Sequence, residues 1–192
     1  MALNINLFGQ YASGKGTQRK LLMQKYNLGS LETGEIIREE IEKKSKIGLE
    51  MNEFIAKGQL VPDSYIIQMI DDFFDNHSEE DGVVFDGLPR TMIQKDLFDA
   101  ELAKYKRDVL NIEIVISDQV SLQRQILRNE ERADKDPEIA KARLKQFHKF
   151  VRPVIEKYAD EGNMKRVNGE DSVENIFKEI CKIVDEYGNR HR

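Results

Sequence analysis

The stretch LNINLFGQYASGKGTQRKLL, residues 3–22, decides which fold we expect for this chain. Residues 3–8 alternate apolar side chains with asparagine and stop at Gly9, a pattern typical of a short buried strand that runs into a glycine turn. A helix is predicted to follow from about Gly14 to Tyr26. A strand, a glycine-rich turn and a helix in this order predict one unit of an α/β fold.

The turn carries the spacing of a phosphate-binding loop. In GQYASGKGT, Gly9 is followed by four residues and then by Gly14 and Lys15. Glycines let backbone N–H groups converge on an anion, the start of the following helix adds the positive end of its dipole, and a lysine can reach a terminal phosphate. Gly16 stands where the strict motif has Ser or Thr, so Thr17 would supply the hydroxyl one residue later. The loop therefore predicts a nucleotide site.

Length and composition exclude several classes of protein. The chain has 192 residues, 40% hydrophobic and 34% charged, and a net charge of -5. This length predicts one domain with its own core. No apolar run approaches the ~18 residues of a membrane span, and the negative charge argues against binding of polymeric nucleic acid. A secretory signal is not recognisable at the start, so we expect a cytoplasmic protein. With Cys181 as the only cysteine, disulfides and multi-cysteine zinc sites within one chain are excluded.

Further strands and helices alternate along the chain. Apolar or β-branched runs bounded by turn residues predict strands at 28–31, 82–87, 110–116 and 164–168. Longer helical patterns separate these runs. Strands that alternate with helices imply right-handed crossovers and a mainly parallel sheet covered on both faces. We therefore predict an α/β fold with about five strands.

Three helices have recognisable start signals. Asp63 is predicted to cap the helix that follows it, and Asp136 with Pro137 is predicted to start a long helix. Asp171, with Glu174 three residues later, resembles a capping box. Each signal places a helix after a polar turn, as an alternating α/β chain requires.

A few residues receive no functional role. The three histidines lack the partner spacing of a metal site or a catalytic triad; they are His77, His148 and His191. Cys181 borders an apolar helical stripe and is predicted to be buried and inert. Pro153 lies within a helical pattern and is predicted to kink the helix.

The segment SGKGTQ, residues 13–18, resembles the phosphate loop of the adenylate kinase family of nucleoside monophosphate kinases. That family usually has Gly-x-Pro-Gly-[Ser/Ala]-Gly-Lys-Gly-Thr. This chain has Tyr11 and Ala12 in place of the Pro and the Gly, and it keeps the residues that face the anion. The resemblance implies a P-loop NTPase-type parallel β-sheet flanked by helices, with Thr17 in the place of the usual hydroxyl.

A second motif of that family is matched by VVFDGLPRTMIQ, residues 83–94, which resembles a strand ending in Asp-Gly-[Phe/Tyr]-Pro-Arg-Thr with a Gln three residues later. Asp86, at the C-terminal end of a buried strand, can hold a magnesium-bound water, and Arg90 is placed to bind an acceptor phosphate. By resemblance, Gln94 belongs to the acceptor site and the peptide bond before Pro89 is cis.

Residues 33–62 resemble the small helical insertion of the family that binds the nucleoside monophosphate. In SLETGEIIREE, Thr33, Gly34 and Arg38 match the family pattern, whereas Glu32 replaces a Ser. AKGQLVPD, at the end of the insertion, resembles the segment that encloses the acceptor base. Its corresponding residues are Gly58, Leu60 and Val61.

Four arginines in LQRQILRNEERADKDPEIAKARLKQF, residues 122–147, are further candidates: Arg124, Arg128, Arg132 and Arg143. A run of arginines is usually a solvated helix face, but this spacing resembles the family's lid, whose arginines surround the transferring phosphates. The family's Arg-x-Asp-Asp ends here in Lys135, so its second Asp is missing. The resemblance implies a short lid at 129–137.

The activity implied by the resemblance is that of an adenylate kinase, in which Mg²⁺-dependent transfer from ATP to AMP reversibly gives two ADP. The implied catalytic residues are Lys15, Arg90, Arg124, Arg132 and Arg143. The implied ATP contacts are Gly14, Lys15, Gly16, Thr17, Arg128 and Gly169. The implied AMP contacts are Thr33, Gly34, Arg38, Gly58, Leu60, Val61, Gly87, Arg90 and Gln94. Thr17 and, partly through water, Asp86 would hold the Mg²⁺. We expect a cytoplasmic monomer that binds neither membranes nor nucleic acid.

Two alternatives remain open at this point. A kinase for UMP and CMP, or for another monophosphate, would have a similar sequence, although Thr33 and Gln94 favour adenine because the pyrimidine enzymes usually carry Ala and Asn-type residues there. A nucleotide-binding regulator without turnover is the other alternative. Its support is the altered loop, with Tyr11 and Ala12, and the missing lid Asp.

Overall fold

The computed structural model describes residues 2–77, 82–127 and 136–190. The strands are β1 (Asn4–Phe8), β2 (Gly29–Glu32), β3 (Val83–Asp86), β4 (Leu110–Val115) and β5 (Lys165–Asn168). The helices are α1 (Lys15–Tyr26), α2 (Thr33–Glu42), α3 (Lys46–Ile55), α4 (Asp63–Asn76), α5 (Met92–Lys104), α6 (Asp118–Leu127), α7 (Pro137–Gln146), α8 (Arg152–Asp160) and α9 (Val173–Arg190).

Within these described ranges, five strands form one parallel sheet in the order β2-β3-β1-β4-β5. The predicted five-stranded parallel sheet flanked by helices is therefore confirmed. Leu7 of β1 and Glu32 of β2 are both register partners of Asp86, which ends β3. The carboxyl ends of the three strands thus meet at one edge, where open parallel sheets bind ligands.

Apolar side chains cover both faces of the sheet. On one face, Ile5 and Leu7 pack with residues of α1 and α9. On the other, Phe85 packs with residues of α4 and α5. These side chains are almost fully buried, and such burial stabilises a fold by about 25 cal/mol per Å² of apolar surface. These two clusters fix the position of the strands between the helices.

The asparagines that alternate with the apolar residues of β1 are also buried. Asn6 donates a hydrogen bond to Asn111 of β4 at 3.2 Å, and Asn111 in turn donates to the carbonyl of Asn163 at 3.1 Å. Glu113, next on this face of β4, is paired with Arg152 at 2.7 Å and Arg166 at 2.9 Å. Each of these three side chains has at least one partner, which offsets the cost of its burial, although among the described residues the Asn6 Oδ1 accepts no hydrogen bond.

Two of the predicted helix caps are wrong, and the third is confirmed. Asp136 accepts a hydrogen bond from the backbone N–H of Glu138 and caps α7 as expected. Asp63 is instead the first residue of α4. Its carboxylate accepts side-chain hydrogen bonds from Gln94 of α5 and from Thr91, the residue that precedes α5. For α9 the cap is Ser172 rather than Asp171, because the Ser172 hydroxyl accepts from the N–H of Asn175.

A π-helical turn at Phe147–Val151 joins α7 to α8. Pro153 is the second residue of α8, and its missing N–H removes one α-helical hydrogen bond. The π turn lies next to the position where the kink was predicted, and the kink itself stays a prediction. Cys181 is buried, as predicted. Among the described residues, no helix is both long enough and apolar enough to cross a membrane.

Candidate active site

The loop between β1 and α1 curls around the ammonium group of Lys15. The Lys15 Nζ donates to the carbonyls of Gly9 at 2.9 Å and Gln10 at 3.0 Å. Gly14 has a φ of +99°, a conformation that L side chains rarely adopt, and a Cβ built there would meet no atom within 4 Å. Space is equally open beside Gly16. A phosphate can therefore approach this backbone and the start of α1.

Asp86 lies where β3 ends and is only 6% exposed. Burial raises the pKa of its carboxyl group above the usual value, while the positive charges of Lys15 and Arg90 act in the opposite direction. Both cations are therefore electrostatic neighbours of one carboxylate. The buried carboxylate of Asp86 thus interacts electrostatically both with the phosphate loop and with the segment after β3.

Gly87 allows the residues around it to pack closely. Its carbonyl accepts from the Thr33 hydroxyl at 3.1 Å and from the Arg90 Nε at 2.6 Å. A Cβ at this position would lie 2.8 Å from Arg90 Nη2 and 2.9 Å from Thr33 Oγ1, so a larger residue would push the arginine away. The peptide bond between Leu88 and Pro89 is cis, as the resemblance implied.

Gln94 is held by two hydrogen bonds. Its Oε1 accepts from the backbone N–H of Arg90 at 2.7 Å, and its Nε2 donates to the Asp63 carboxylate at 2.7 Å. Thr91 donates to the same carboxylate at 3.0 Å. An amide has two donors and two acceptor lone pairs, so Gln94 retains capacity to bind a base edge. The two bonds fix the orientation of the Gln94 amide, and with it the direction of its remaining donor and acceptor positions.

Within residues 2–77, 82–127 and 136–190, the structure contains no metal site built mainly from protein side chains. Among the described residues, no three His, Cys, Asp or Glu side chains lie close enough to hold an ion. The Thr17 hydroxyl is exposed at the first turn of α1, and the Asp86 carboxylate faces the same cavity. A site with only one or two protein oxygens is typical of Mg²⁺, because this ion keeps several of its waters and also binds substrate phosphates. The residues present therefore fit a Mg²⁺ that arrives with a nucleotide.

Most of the predicted site residues line one cavity of about 920 Å³. They are Gly14, Lys15, Gly16, Thr17, Thr33, Gly34, Arg38, Leu60, Val61, Asp86, Gly87, Arg90, Gln94 and Arg143. This volume is within the usual range for small-molecule sites. Residues separated by more than 120 positions in sequence are thus brought to the carboxyl edge of the sheet.

Comparison with known proteins agrees with this geometry. Residues 7–163 match the family model described as adenylate kinase.

The chain belongs to the adenylate kinase family. It is a phosphotransferase of the nucleoside monophosphate kinase class.

Named relatives extend over almost the whole chain. It is 34% identical to the adenylate kinases of Bacteroides fragilis and Bacteroides thetaiotaomicron, over 95% of this chain and 98% of each relative. It is 32% identical to the adenylate kinase of Flavobacterium psychrophilum, over 95% of this chain and 98% of that relative. The alternatives of a pyrimidine kinase and a regulator without turnover are not favoured by these matches.

Among the described residues of this adenylate kinase family member, three that were predicted for the site lie outside the cavity lining: Arg124, Gly169 and Gly58. Arg124 donates to the carbonyl of Gly169 at 2.9 Å, at the end of β5. Gly58 lies close to α7 rather than at the cavity, since a Cβ added to Gly58 would be 3.0 Å from the carbonyl oxygen of Ile139. Arg128 and Arg132, like most of the predicted lid at 129–137, lie outside the described residues.

Sequence reasoning missed several residues of the site. Asp63 was assigned to a helix cap, but it fixes Gln94. Arg19, which received no role, lies 2.5 Å from Glu32, a residue noted only as a replacement for Ser. Local patterns could not have identified either contact, because each depends on how separate elements pack.

Proposed function

We propose that this adenylate kinase family member catalyses the reversible, Mg²⁺-dependent transfer of a phosphoryl group from ATP to AMP, giving two ADP. The observation that carries the proposal is the arrangement of Lys15 and Arg90 around the buried carboxylate of Asp86 in one cavity. Lys15 belongs to a phosphate loop, and Arg90 follows a different strand. Two separate polyanions can therefore be bound with their phosphates facing each other.

The transfer needs positioning and charge neutralisation rather than a covalent protein intermediate. An oxygen of the acceptor phosphate forms a bond to the terminal phosphorus of the donor. The bond from that phosphorus to its bridging oxygen breaks, and the leaving nucleoside diphosphate keeps the electron pair. Negative charge on the oxygens of the transferring group is met by fixed cations.

Each cation has a place in this scheme. Lys15 stabilises the donor phosphates, and Arg38 and Arg90 bind the acceptor phosphate. Arg143, which lines the cavity, faces the transferring group, and Arg124 acts from the side of Gly169. The roles of Arg128 and Arg132 in a closing lid at 129–137 belong to the same proposal. Bound Mg²⁺ would neutralise the donor phosphates, with Thr17 and a water on Asp86 as its protein-side contacts.

Closure of 33–62 and 129–137 over the bound nucleotides would exclude water, which otherwise competes with AMP as the acceptor. Residues 33–62 contain α2 and α3, so they can move as a helical unit. As the resemblance to the family implies, we also propose that the protein acts as a monomer in the cytoplasm.

The test is a transfer assay with Mg·ATP as donor and AMP, CMP, UMP or GMP as acceptor, with a reaction lacking acceptor to measure hydrolysis. We expect strong turnover with AMP, little with the other three, and loss of activity when EDTA removes the metal. Preference for a pyrimidine would contradict the acceptor assignment. Binding of ATP without phosphorylation of any acceptor would contradict the proposed activity.

A further inference from the structure

Tyr11 contacts two of the arginines of the candidate active site. Its hydroxyl oxygen accepts a hydrogen bond from the Arg90 Nη1 at 3.0 Å. The guanidinium carbon of Arg90 lies 5.8 Å from the centre of the Tyr11 ring, and that of Arg143 lies 5.1 Å from it. Both distances are within the range of a cation–π interaction. One aromatic side chain therefore joins a residue after β3 to a residue of α7.

The segment that carries this ring is fixed to the protein. The backbone carbonyl of Tyr11 accepts from the buried Ser121 hydroxyl at 2.9 Å. The neighbouring Gln10 side chain donates to Asp118 at 2.8 Å. Both partners belong to α6, so the loop is attached to a helix next to it. The ring thus has a defined position against which flexible arginines can be ordered.

The contact with Tyr11 can orient the Arg90 guanidinium without preventing it from binding a phosphate. A guanidinium has five N–H donors in a planar fork. Arg90 uses its Nε on the carbonyl of Gly87 and one N–H of Nη1 on Tyr11, which leaves donors on the outer side of the fork for a phosphate. Because these bonds fix the plane of the group, less side-chain freedom is lost when a phosphate binds.

A second effect concerns the charges. Arg90 and Arg143 both line the cavity, and two like charges facing one space repel each other. The negative face of the Tyr11 ring attracts both guanidinium groups at once. The proline of the usual family motif has neither a hydroxyl nor an aromatic ring, so this contact is a property of the present loop.

We propose that Tyr11 is a positioning residue for phosphoryl transfer, whose hydroxyl orients Arg90 toward the acceptor phosphate and whose ring holds Arg143 beside it. The proposal rests on the function proposed above, since it assumes that Arg90 binds the acceptor. It predicts that the hydroxyl and the ring have separable effects. The hydroxyl affects acceptor binding, and the ring also affects the transfer step.

The test compares Tyr11→Phe, which keeps the ring, with Tyr11→Leu, which removes both contacts. Steady-state kinetics would give kcat and the KM for AMP and for ATP, and calorimetry would give the Kd for AMP. For Tyr11→Phe we expect the KM and Kd for AMP to rise about threefold to tenfold, with kcat and the KM for ATP within about twofold of wild type. For Tyr11→Leu we expect a further loss, with kcat lowered by about tenfold.

A matched control is Tyr105→Phe. The Tyr105 hydroxyl donates to Asp75 at 3.0 Å on an exposed surface, so the same atom is removed at a distance from the site. We expect wild-type kinetics from this variant. A change equal to that of Tyr11→Phe would show that deletion of a hydroxyl acts through general stability, and it would overturn the proposal.

A double-mutant cycle separates the role of Tyr11 from a merely structural one. In Arg90→Ala, deletion of the Tyr11 hydroxyl should no longer change the Kd for AMP, because its partner is gone. Additive effects of the two substitutions would contradict the proposal, as would parallel increases in the KM for ATP and AMP. If wild type uses another acceptor, the proposed function fails, and the same cycle with that acceptor still decides the role of Tyr11.

Discussion

The carboxylate of Glu32 holds the guanidinium of Arg38, with 2.8 Å between Oε1 and Nη2. Glu32 ends β2, and Arg38 lies on α2, where we propose that it binds the acceptor phosphate. The Glu32 side chain is 17% exposed, so solvent screens this pair only in part. An incoming phosphate must therefore compete with a carboxylate for the same arginine.

Replacing Glu32 with Gln should strengthen acceptor binding. The substitution keeps the shape of the side chain and removes its charge, so Arg38 becomes free for the phosphate and a repulsive charge disappears. We expect the KM for AMP to fall by about threefold to tenfold, measured by steady-state kinetics at low salt.

The same change should lower stability, because Arg19 is buried against Glu32. We expect the free energy of unfolding to fall by about 1–2 kcal/mol, measured by urea denaturation. Glu39→Gln is the control, since it removes an equal charge from an exposed position of α2. If the two variants had the same KM for AMP, competition by Glu32 would be disproved.

Lys15→Met should almost abolish transfer while leaving the fold intact. Methionine has a similar length, but it cannot donate to a phosphate oxygen, so the donor phosphates lose their nearest fixed cation. We expect kcat to fall by at least about 100-fold.

Thermal unfolding would show that the Lys15→Met variant remains folded. Lys25→Met, at the far end of α1, serves as the matched control. Its ammonium group lies over the rings of Tyr26 and Phe177, away from the cavity. Retention of more than a tenth of wild-type kcat by Lys15→Met would contradict the role of Lys15.

The strands were predictable because their signal is local. Buried parallel strands such as β3 and β4 are apolar runs that end at turn residues, and their bounds agree with the predicted runs to within one residue at either end. Long-range contacts left no such signal. Asp63 has the residue type and position of a helix cap, yet its carboxylate binds Thr91 and Gln94, which lie 28 and 31 residues further along the chain.

In the candidate site, too, residues with a local sequence signal could be predicted and long-range contacts could not. Lys15 and Arg90 could be predicted because each lies in a short motif with a fixed spacing. The contact of Tyr11 with Arg90 joins residues 79 positions apart, and the pairing of Glu32 with Arg19 joins separate elements. Such contacts depend on how the elements pack, which the periodicity of a sequence does not specify.

Gly169→Ala should weaken the donor side of the site. A Cβ at Gly169 would lie 2.6 Å from the Cγ2 of Ile114 and 2.8 Å from that of Ile116, both of them buried. The turn after β5 would have to move, and it carries the carbonyl that binds Arg124. We expect the free energy of unfolding to fall by about 1–3 kcal/mol and the KM for ATP to rise more than the KM for AMP.

Chemical denaturation and steady-state kinetics would measure both effects of Gly169→Ala. Gly188→Ala, on α9, provides the comparison, because a Cβ added to Gly188 would meet no atom within 4 Å. A helical Gly→Ala change of this kind should raise stability by about 0.5–1 kcal/mol. Equal stability of the two variants would show that the turn at Gly169 accommodates a side chain.

Gly48→Ala should disrupt the acceptor side. Gly48 lies on α3, and an added Cβ would overlap the backbone of Glu40 and lie 2.7 Å from the backbone nitrogen of Ile41 on α2. A backbone cannot turn aside as a flexible side chain can, so the two helices must separate. Since α2 also carries Arg38, we expect the free energy of unfolding to fall by about 3 kcal/mol.

The separation of α2 from α3 should affect the two substrates unequally. We expect the KM for AMP to rise at least about tenfold, because the arginine proposed to bind its phosphate is displaced, while calorimetric binding of ATP remains near wild type. Gly29→Ala is the control in this half of the molecule, since its Cβ would be 3.7 Å from the carbonyl oxygen of Gly82, an ordinary contact. Equal losses of AMP and ATP binding in Gly48→Ala would contradict the assignment of 33–62 to the acceptor alone.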